Sequence, residues 1–312
     1  MPIAIIMNNS TGSAKMTGQR LALIGANGML ARMVRSKAPQ GYEIFPFDLP
    51  DFDLSDRAQV LAEMARLQPA VIVNCAAFTD VDGCETQEEL ATRVNGVGPG
   101  YLAEAAKASG AVLVHISTDY VFAGDKGAPY LETDPTGPLS AYGRSKLAGE
   151  QAIMASGLTR YFILRTSWLY GPGGKNFVET ILRLAAERDE LRVVADQHGS
   201  PTYTGDLAGA IYQLLTLPTP AYGIYHLSNL GECSWHGFAE AIVALARQAG
   251  EPLKVTQLVP IRTEDYPLPA RRPAWSVFSK EKYLNVTGKT LPHWRKSLEH
   301  YLRERRALRS SS

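Results

Sequence analysis

The chain has 312 residues, of which 45% are hydrophobic and 20% charged, and a formal net charge of +1. That length supports one large domain or two modest ones with a sizeable core. The balanced charge argues against a dedicated nucleic-acid binder, and no apolar run reaches the ~18 residues needed to span a bilayer.

The first 19 residues, rich in Ser, Thr, Gly and Asn, read as a flexible leader without a basic segment ahead of their apolar patch, so no secretory signal is expected. Cys75, Cys84 and Cys233 share no ligand spacing. Neither a disulfide framework nor a metal site is expected, and reduced thiols fit a cytoplasmic protein.

Short apolar runs then alternate with helix-length segments. Strands are predicted at Leu21–Gly25, Glu43–Phe47, Ala70–Asn74, Val112–Ile116 and Tyr161–Arg165, with helices near 28–37, 56–67, 87–109 and 141–156. Apolar strands separated by helices imply an α/β fold, a Rossmann-type doubly wound parallel sheet covered on both faces. Residues 20–172 would form this dinucleotide-binding domain, which would also receive segments near 192–230. Residues 173–304 would form mainly a smaller, interleaved C-terminal substrate domain, and 305–312 a tail. In that second half, Thr204 or Asp206 is placed to cap one helix and Gly250 to stop another. "DYPLPARRPAWS" reads as an extended, Pro-rich loop.

"LALIGANGMLARMV" runs from a strand through Gly25-x-x-Gly28-x-x-Ala31 into a helix. Gly25 permits a tight turn, Gly28 lets the backbone approach a pyrophosphate, and Ala31 keeps helix and strand close. Asn27, Met29 and Leu30 complete this cofactor-binding stretch, where a helix N-terminus offers N–H groups to an anion. Asp48 lies about 20 residues past the loop, where a carboxylate can hold the adenosine ribose hydroxyls; Asp is also a common turn former. Asp53 and Leu54 suit the adenine edge. Ala76 and Ala77, after the third strand, either let a cofactor pass close or pack tightly in the core. Leu49 follows Asp48 where a basic residue would favour a 2′-phosphate. The cofactor is therefore NADPH or NADH, with Leu49 leaning towards NADH.

Ser117, Thr118 and Asp119 emerge at the carboxyl end of the fourth strand, where open parallel sheets bind ligands. In "LSAYGRSKLAGE", Tyr142 and Lys146 lie four residues apart and share a helix face. That spacing alone arises readily by chance. In order and together, the Gly-x-x-Gly loop, Asp53-Leu54, Thr118 and Tyr142-x-x-x-Lys146 resemble the extended short-chain dehydrogenase/reductases. The blocks "VNCAAFTDVDGCE", "HISTDYVFAG", "LRTSWLYGPGGKNFV", "VVADQHGSPTYTGDLA" and "YPLPARRPAWSVFS" extend the resemblance over residues 20–304 to the dTDP-4-dehydrorhamnose reductase family.

The resemblance implies NAD(P)H-dependent reduction of a C4 ketone on a dTDP-sugar, giving dTDP-L-rhamnose. Tyr142 would be the general acid, Lys146 would lower its pKa and hold the nicotinamide ribose, and Thr118 would hydrogen-bond the substrate oxygen. Asp119, Trp168, Asn176, Phe177 and Arg272 would contact substrate, Arg272 as a guanidinium for the diphosphate. No metal, nucleic-acid or membrane partner is assigned, and the chain would be a monomer or homodimer. Three alternatives stay open: a ketoreductase giving the talose epimer, an epimerase and a non-catalytic regulatory subunit. Against a dehydratase, Tyr120 follows Thr118-Asp119 where those enzymes carry a Glu base.

Overall fold

The computed structural model describes residues 18–310, so almost all of the proposed leader lies outside the described residues. Strands β1 (Gln19–Ile24), β2 (Tyr42–Phe47), β3 (Val71–Asn74), β4 (Val112–Thr118) and β5 (Tyr161–Thr166) confirm the five predicted strands, with β1 beginning two residues before Leu21. Two more strands used below are β6 (Glu190–Val194) and β7 (Gly223–His226). Among the described residues, one all-parallel six-stranded sheet runs in the order β7-β5-β4-β3-β1-β2.

The strands are apolar throughout because both faces are buried. Leu21, Leu23, Val71, Val73, Val112, Val114, Phe162 and Leu164 enter one core cluster. The alternating Ala22, Ile24, Ile72, Leu113 and Ile163 enter the other. This is the period-2 alternation of a strand, with a hydrophobic layer on each side. The first layer is covered by α1 (Met29–Ser36), the second by α2 (Arg57–Leu67) and α3 (Gly98–Ser109).

Helix α4 (Ala141–Ala155) begins at Ser140, whose hydroxyl accepts from the Gly143 amide at 3.2 Å. The predicted 87–109 helix is continuous but not uniform. Residues 92–97 widen into a π turn ahead of α3. There Gly149 of α4 comes so close to the Asn95 carbonyl that no Cβ fits between them. Insertions of this kind recur beside functional sites.

The second half supplies α5 (Phe177–Glu187), α6 (Thr204–Leu215), α7 (Trp235–Gln248) and α8 (Trp294–Ser310), and a β8 (Gln257–Ile261) that pairs in parallel with β6. Helix α7 ends just before Gly250, at φ 78°, as expected. Helix α6 is not capped by Thr204 or Asp206. Tyr203 is its N-cap, and Asp206 instead accepts from the Asn229 amide at 2.7 Å and the Ser297 hydroxyl at 2.5 Å. The expected tail from residue 305 is helical to Ser310, and Arg305 pairs with Glu179 and Glu251 at 2.7 and 2.9 Å. The first core cluster passes without a break into α5, α7 and α8. Both halves of the chain therefore share one apolar layer.

A buried ion pair ties α4 to β5. Glu150, fully buried, takes a fork from Arg165 at 2.7 and 3.0 Å and a further bond from the Ser117 hydroxyl. Arg165→Met would leave that carboxylate unpaired, at a cost of about 3–5 kcal/mol in urea unfolding.

Candidate active site

The strand order changes direction between β1 and β3, the place where open α/β sheets open a crevice at their carboxyl ends. A cavity of about 870 Å³ lies there. Gly25 turns at its edge with φ 74°. A Cβ on it would stand 2.6 Å from the Ala76 amide nitrogen, so this turn requires glycine. No side chain caps the N-terminus of α1, which leaves the backbone donors of the first turn facing the cavity. An anion suits that position.

Asp48 accepts from the Asn27 amide at 2.7 Å and from the Leu49 amide at 2.9 Å, which fixes its carboxylate at the cavity wall. The Thr166 and Thr204 hydroxyls also line the cavity and are buried without a partner. Together with the glycine turn, these orphaned groups fit a dinucleotide. Gly25, Asn27, Gly28, Met29, Leu30, Asp48, Asp53, Leu54, Ala76 and Ala77 all line this one cavity.

The proposed reacting residues open into it as well: Thr118, Asp119, Tyr142, Lys146, Trp168 and Phe177. Lys146 is buried, and its ammonium donates to the Ile116 carbonyl at 2.6 Å. Burial lowers its pKa to about 8, against the opposing pull of Glu150 and Cys75. Burial and the Lys146 charge hold His115 beneath it well below its usual value, hence neutral.

Tyr142 sits edge-on to Tyr120, with ring centres 5.5 Å apart. Burial raises its pKa well above the usual phenol value. Asp119 adds to the rise, and a hydrogen bond with Thr118 opposes it. The expected lowering by Lys146 is absent from these influences. Its ammonium is turned to the Ile116 carbonyl, so in this arrangement Tyr142 is a firmly protonated acid.

Thr118 donates to Asp119 at 3.0 Å, and Ser276 donates to the other oxygen of that carboxylate at 2.6 Å. Burial lifts Asp119 to about 6 in spite of both bonds.

Two of the residues expected to contact substrate lie outside this cavity and are engaged by protein groups. Asn176 lines no described cavity. Its Oδ1 caps α5 by accepting from the Glu179 amide at 3.1 Å, and its Nδ2 donates to the Gly171 and Gly174 carbonyls at 3.0 and 3.2 Å. With both ends engaged, it organises the loop before α5. Arg272 is taken by Asp82 in a fork at 2.7 and 2.8 Å. It borders a second cavity of about 600 Å³. There the exposed guanidinium-bearing residues Arg192 and Arg271 stand beside β6 and the Pro-rich loop.

Several lining residues carry no motif. Lys175 and Trp235 line the first cavity and Arg192 the second. Trp235 stacks on Trp168 with ring centres 3.6 Å apart and planes 8° apart. Asn95, in the π turn, bonds both backbone groups of Phe78 and donates to the Ser145 hydroxyl at 3.1 Å. Its Asn-Gly dipeptide inside an otherwise helical run was the available signal.

The glycine turn under an uncapped helix, with Thr118, Tyr142 and Lys146 at the same crevice, defines a nicotinamide-dinucleotide-dependent oxidoreductase of the extended short-chain type. More narrowly, the chain belongs to the dTDP-4-dehydrorhamnose reductase family: the family model described as the RmlD substrate binding domain matches residues 19–307. A dTDP-4-dehydrorhamnose reductase of Burkholderia thailandensis is 44% identical over 287 residues, covering 88% of this chain and 95% of the relative. The spore coat polysaccharide biosynthesis protein SpsK of Bacillus subtilis is 43% identical, over 92% of this chain and 98% of its own. The crystal structure of dTDP-4-dehydrorhamnose reductase from Bacillus anthracis in complex with NADP superposes with a TM-score of 0.87. It is 41% identical and covers 92% of this chain and 99% of that one. No helix among the described residues is long and apolar enough to cross a membrane.

The raised Asp119 pKa has a consequence for stability. A carboxyl whose folded value, about 6, exceeds its unfolded value of ≈ 3.9 stabilises the fold fully below the unfolded value. That contribution is lost as pH rises through the folded value. Between pH 4 and pH 7 the wild type should lose about 2–3 kcal/mol relative to Asp119→Asn, measured by urea unfolding at each pH. A pH-independent difference between the two would show that Asp119 titrates normally.

Proposed function

We propose that the chain reduces the C4 ketone of dTDP-4-dehydrorhamnose (dTDP-4-dehydro-6-deoxy-L-mannose) to dTDP-L-rhamnose with NADPH or NADH. The observation that carries this is the convergence of Tyr142, Thr118 and Lys146 on the cavity that also holds the glycine turn. The names of the relatives support the same substrate.

When bound, the nicotinamide cofactor would supply a hydride to C4. As the ketone oxygen gains negative charge it needs a proton, and Tyr142 gives one from its Oη. A phenol held above its usual pKa keeps that proton until an alkoxide, a far stronger base, forms beside it. The Thr118 hydroxyl is assigned to the same substrate oxygen. To donate there it must leave Asp119, and protonation of Asp119 frees it to do so. Lys146 is assigned to the nicotinamide ribose, and Asp48 to the adenosine ribose. Elimination of water is disfavoured because Tyr120 supplies no carboxylate base beside Asp119. Arg192 and Arg271 replace Arg272 as our assignment for the diphosphate, since the Arg272 fork is already filled by Asp82. We assign the working location to the cytoplasm, where the nicotinamide cofactor and nucleotide sugars are found.

Purified enzyme given the dTDP-4-keto sugar should oxidise NADH or NADPH and release dTDP-L-rhamnose, identified by chromatography against a standard. Tyr142→Phe should keep its cofactor affinity and lose about 10²–10⁴ in kcat, the usual size of a general-acid contribution. Wild-type kcat in that variant would refute the assignment of the acid. Leu49, beside the Asp48 carboxylate, predicts that NADH serves at least as well as NADPH; a strong NADPH preference would contradict it.

A further inference from the structure

The two cavities adjoin, and the wall they share forms the neck between them. Tyr120, Phe177 and Trp235 are the described residues that line both. On one side lie Tyr142 and Lys146, on the other Arg192 and Arg271. No neck residue is charged. A ligand that spans both cavities must therefore place a charged part on the arginine side and an uncharged part between the aromatic rings.

Trp235 is the most elaborately held of the three. Ser234 caps α7 beneath it, accepting from the Gly237 amide at 3.0 Å. Residues 233–234 pair antiparallel with 198–199. Gly199 in that pair leaves room for Trp168, since a Cβ on it would stand 2.6 Å from the indole. Trp168 itself has φ 49°, a left-handed backbone that a bulky residue adopts only when its surroundings enforce it. The outcome of these constraints is the parallel indole stack, with Phe177 tilted 51° at 4.6 Å on Trp235. All three pack against the first core cluster, yet Trp168, Trp235 and Phe177 are each only half-buried and line the first cavity.

We infer that Trp235 is a substrate-binding residue that grips the pyranose ring of a nucleoside diphosphate 6-deoxysugar at the neck, with Trp168 as its backing. The inference rests on the function proposed above. Aromatic rings bind the C–H face of a sugar, and the methyl of a 6-deoxy ring adds apolar surface where a hydroxyl would find no charged partner. Trp235 touches the sugar equally before and during hydride transfer, so its effect falls on binding rather than on the chemical step.

The test compares wild type, Trp235→Ala and Trp235→Phe in steady-state kinetics with the dTDP-4-keto sugar, alongside cofactor affinity and thermal unfolding. Trp235→Ala should raise KM about tenfold or more while kcat changes less than about threefold, and cofactor Kd should stay the same. Trp235→Phe should recover most of the KM. Two stacked indoles also couple in near-ultraviolet circular dichroism. That couplet should vanish in Trp235→Phe and in Trp168→Phe, and dTDP-L-rhamnose should perturb it in wild type while the cofactor does not. An unchanged KM in Trp235→Ala, with wild type active on the sugar, would overturn the inference and leave the proposed function standing. So would a parallel loss of sugar affinity, cofactor affinity and melting temperature that Trp235→Phe fails to repair, which is the pattern of a structural residue. If wild type neither turned over the sugar nor changed its couplet with product, the functional proposal would fall and the neck assignment with it.

Discussion

The site depends on an ammonium kept out of water. Lys146 is 2% exposed, and removing such a charge from solvent is costly unless polar groups replace the lost hydration. The Ile116 carbonyl supplies one such group. One helical turn on, Glu150 supplies a negative charge, itself gripped by Arg165 and Ser117. These contacts fasten α4 to β4 and β5, and with it they fasten Tyr142 at the helix start. Ser117 and Thr118 are neighbours on a strand and so face opposite ways. The first turns down to Glu150 and the second up to Asp119. One strand end thus serves both the buried support and the open site.

Above that support the polar groups are arranged in series. Ser276, the last residue of the Pro-rich loop, donates to Asp119, which accepts from Thr118, which in turn hydrogen-bonds with Tyr142. The chain connects the C-terminal half directly to the proposed acid. Asp82 makes a second connection: it holds Arg272 and also accepts from the Ala270 amide at 3.0 Å. The loop that borders the second cavity is therefore tied to the loop after β3. In our account the sugar bridges two cavities whose relative position these bonds fix, while the shared apolar layer of α5, α7 and α8 supplies the bulk of the packing.

Much of this was legible in the sequence because it is local. Five apolar runs became five adjacent strands, and the glycine turn, Asp48, Thr118, Tyr142 and Lys146 meet at one crevice because short motifs fix short stretches of backbone. The departures arise where a side chain is engaged by a protein partner that its motif does not announce. Asn176 looked like a substrate contact, yet its place before an apolar helical run also marks an N-cap, and capping won. Arg272 looked like an anion clamp, but Asp82, 190 residues away, holds it. Thr204 and Asp206 had the right residue types for a cap, one and three residues too late. Trp235 carries no motif, and nothing in its neighbourhood announces that Trp168 will stack on it. The tuning of Tyr142 by Lys146 is what the family resemblance implies; the direction of the ammonium, towards Ile116, is a tertiary fact.

The most direct test of the account is a single turnover with cofactor deuterated at the transferable C4 position of its nicotinamide, followed by mass spectrometry and NMR of the sugar. We predict one deuterium at C4 of dTDP-L-rhamnose and none elsewhere, with net consumption of the reduced cofactor. A sugar released unlabelled, or a C4 epimer formed without consumption of cofactor, would contradict direct reduction at this site.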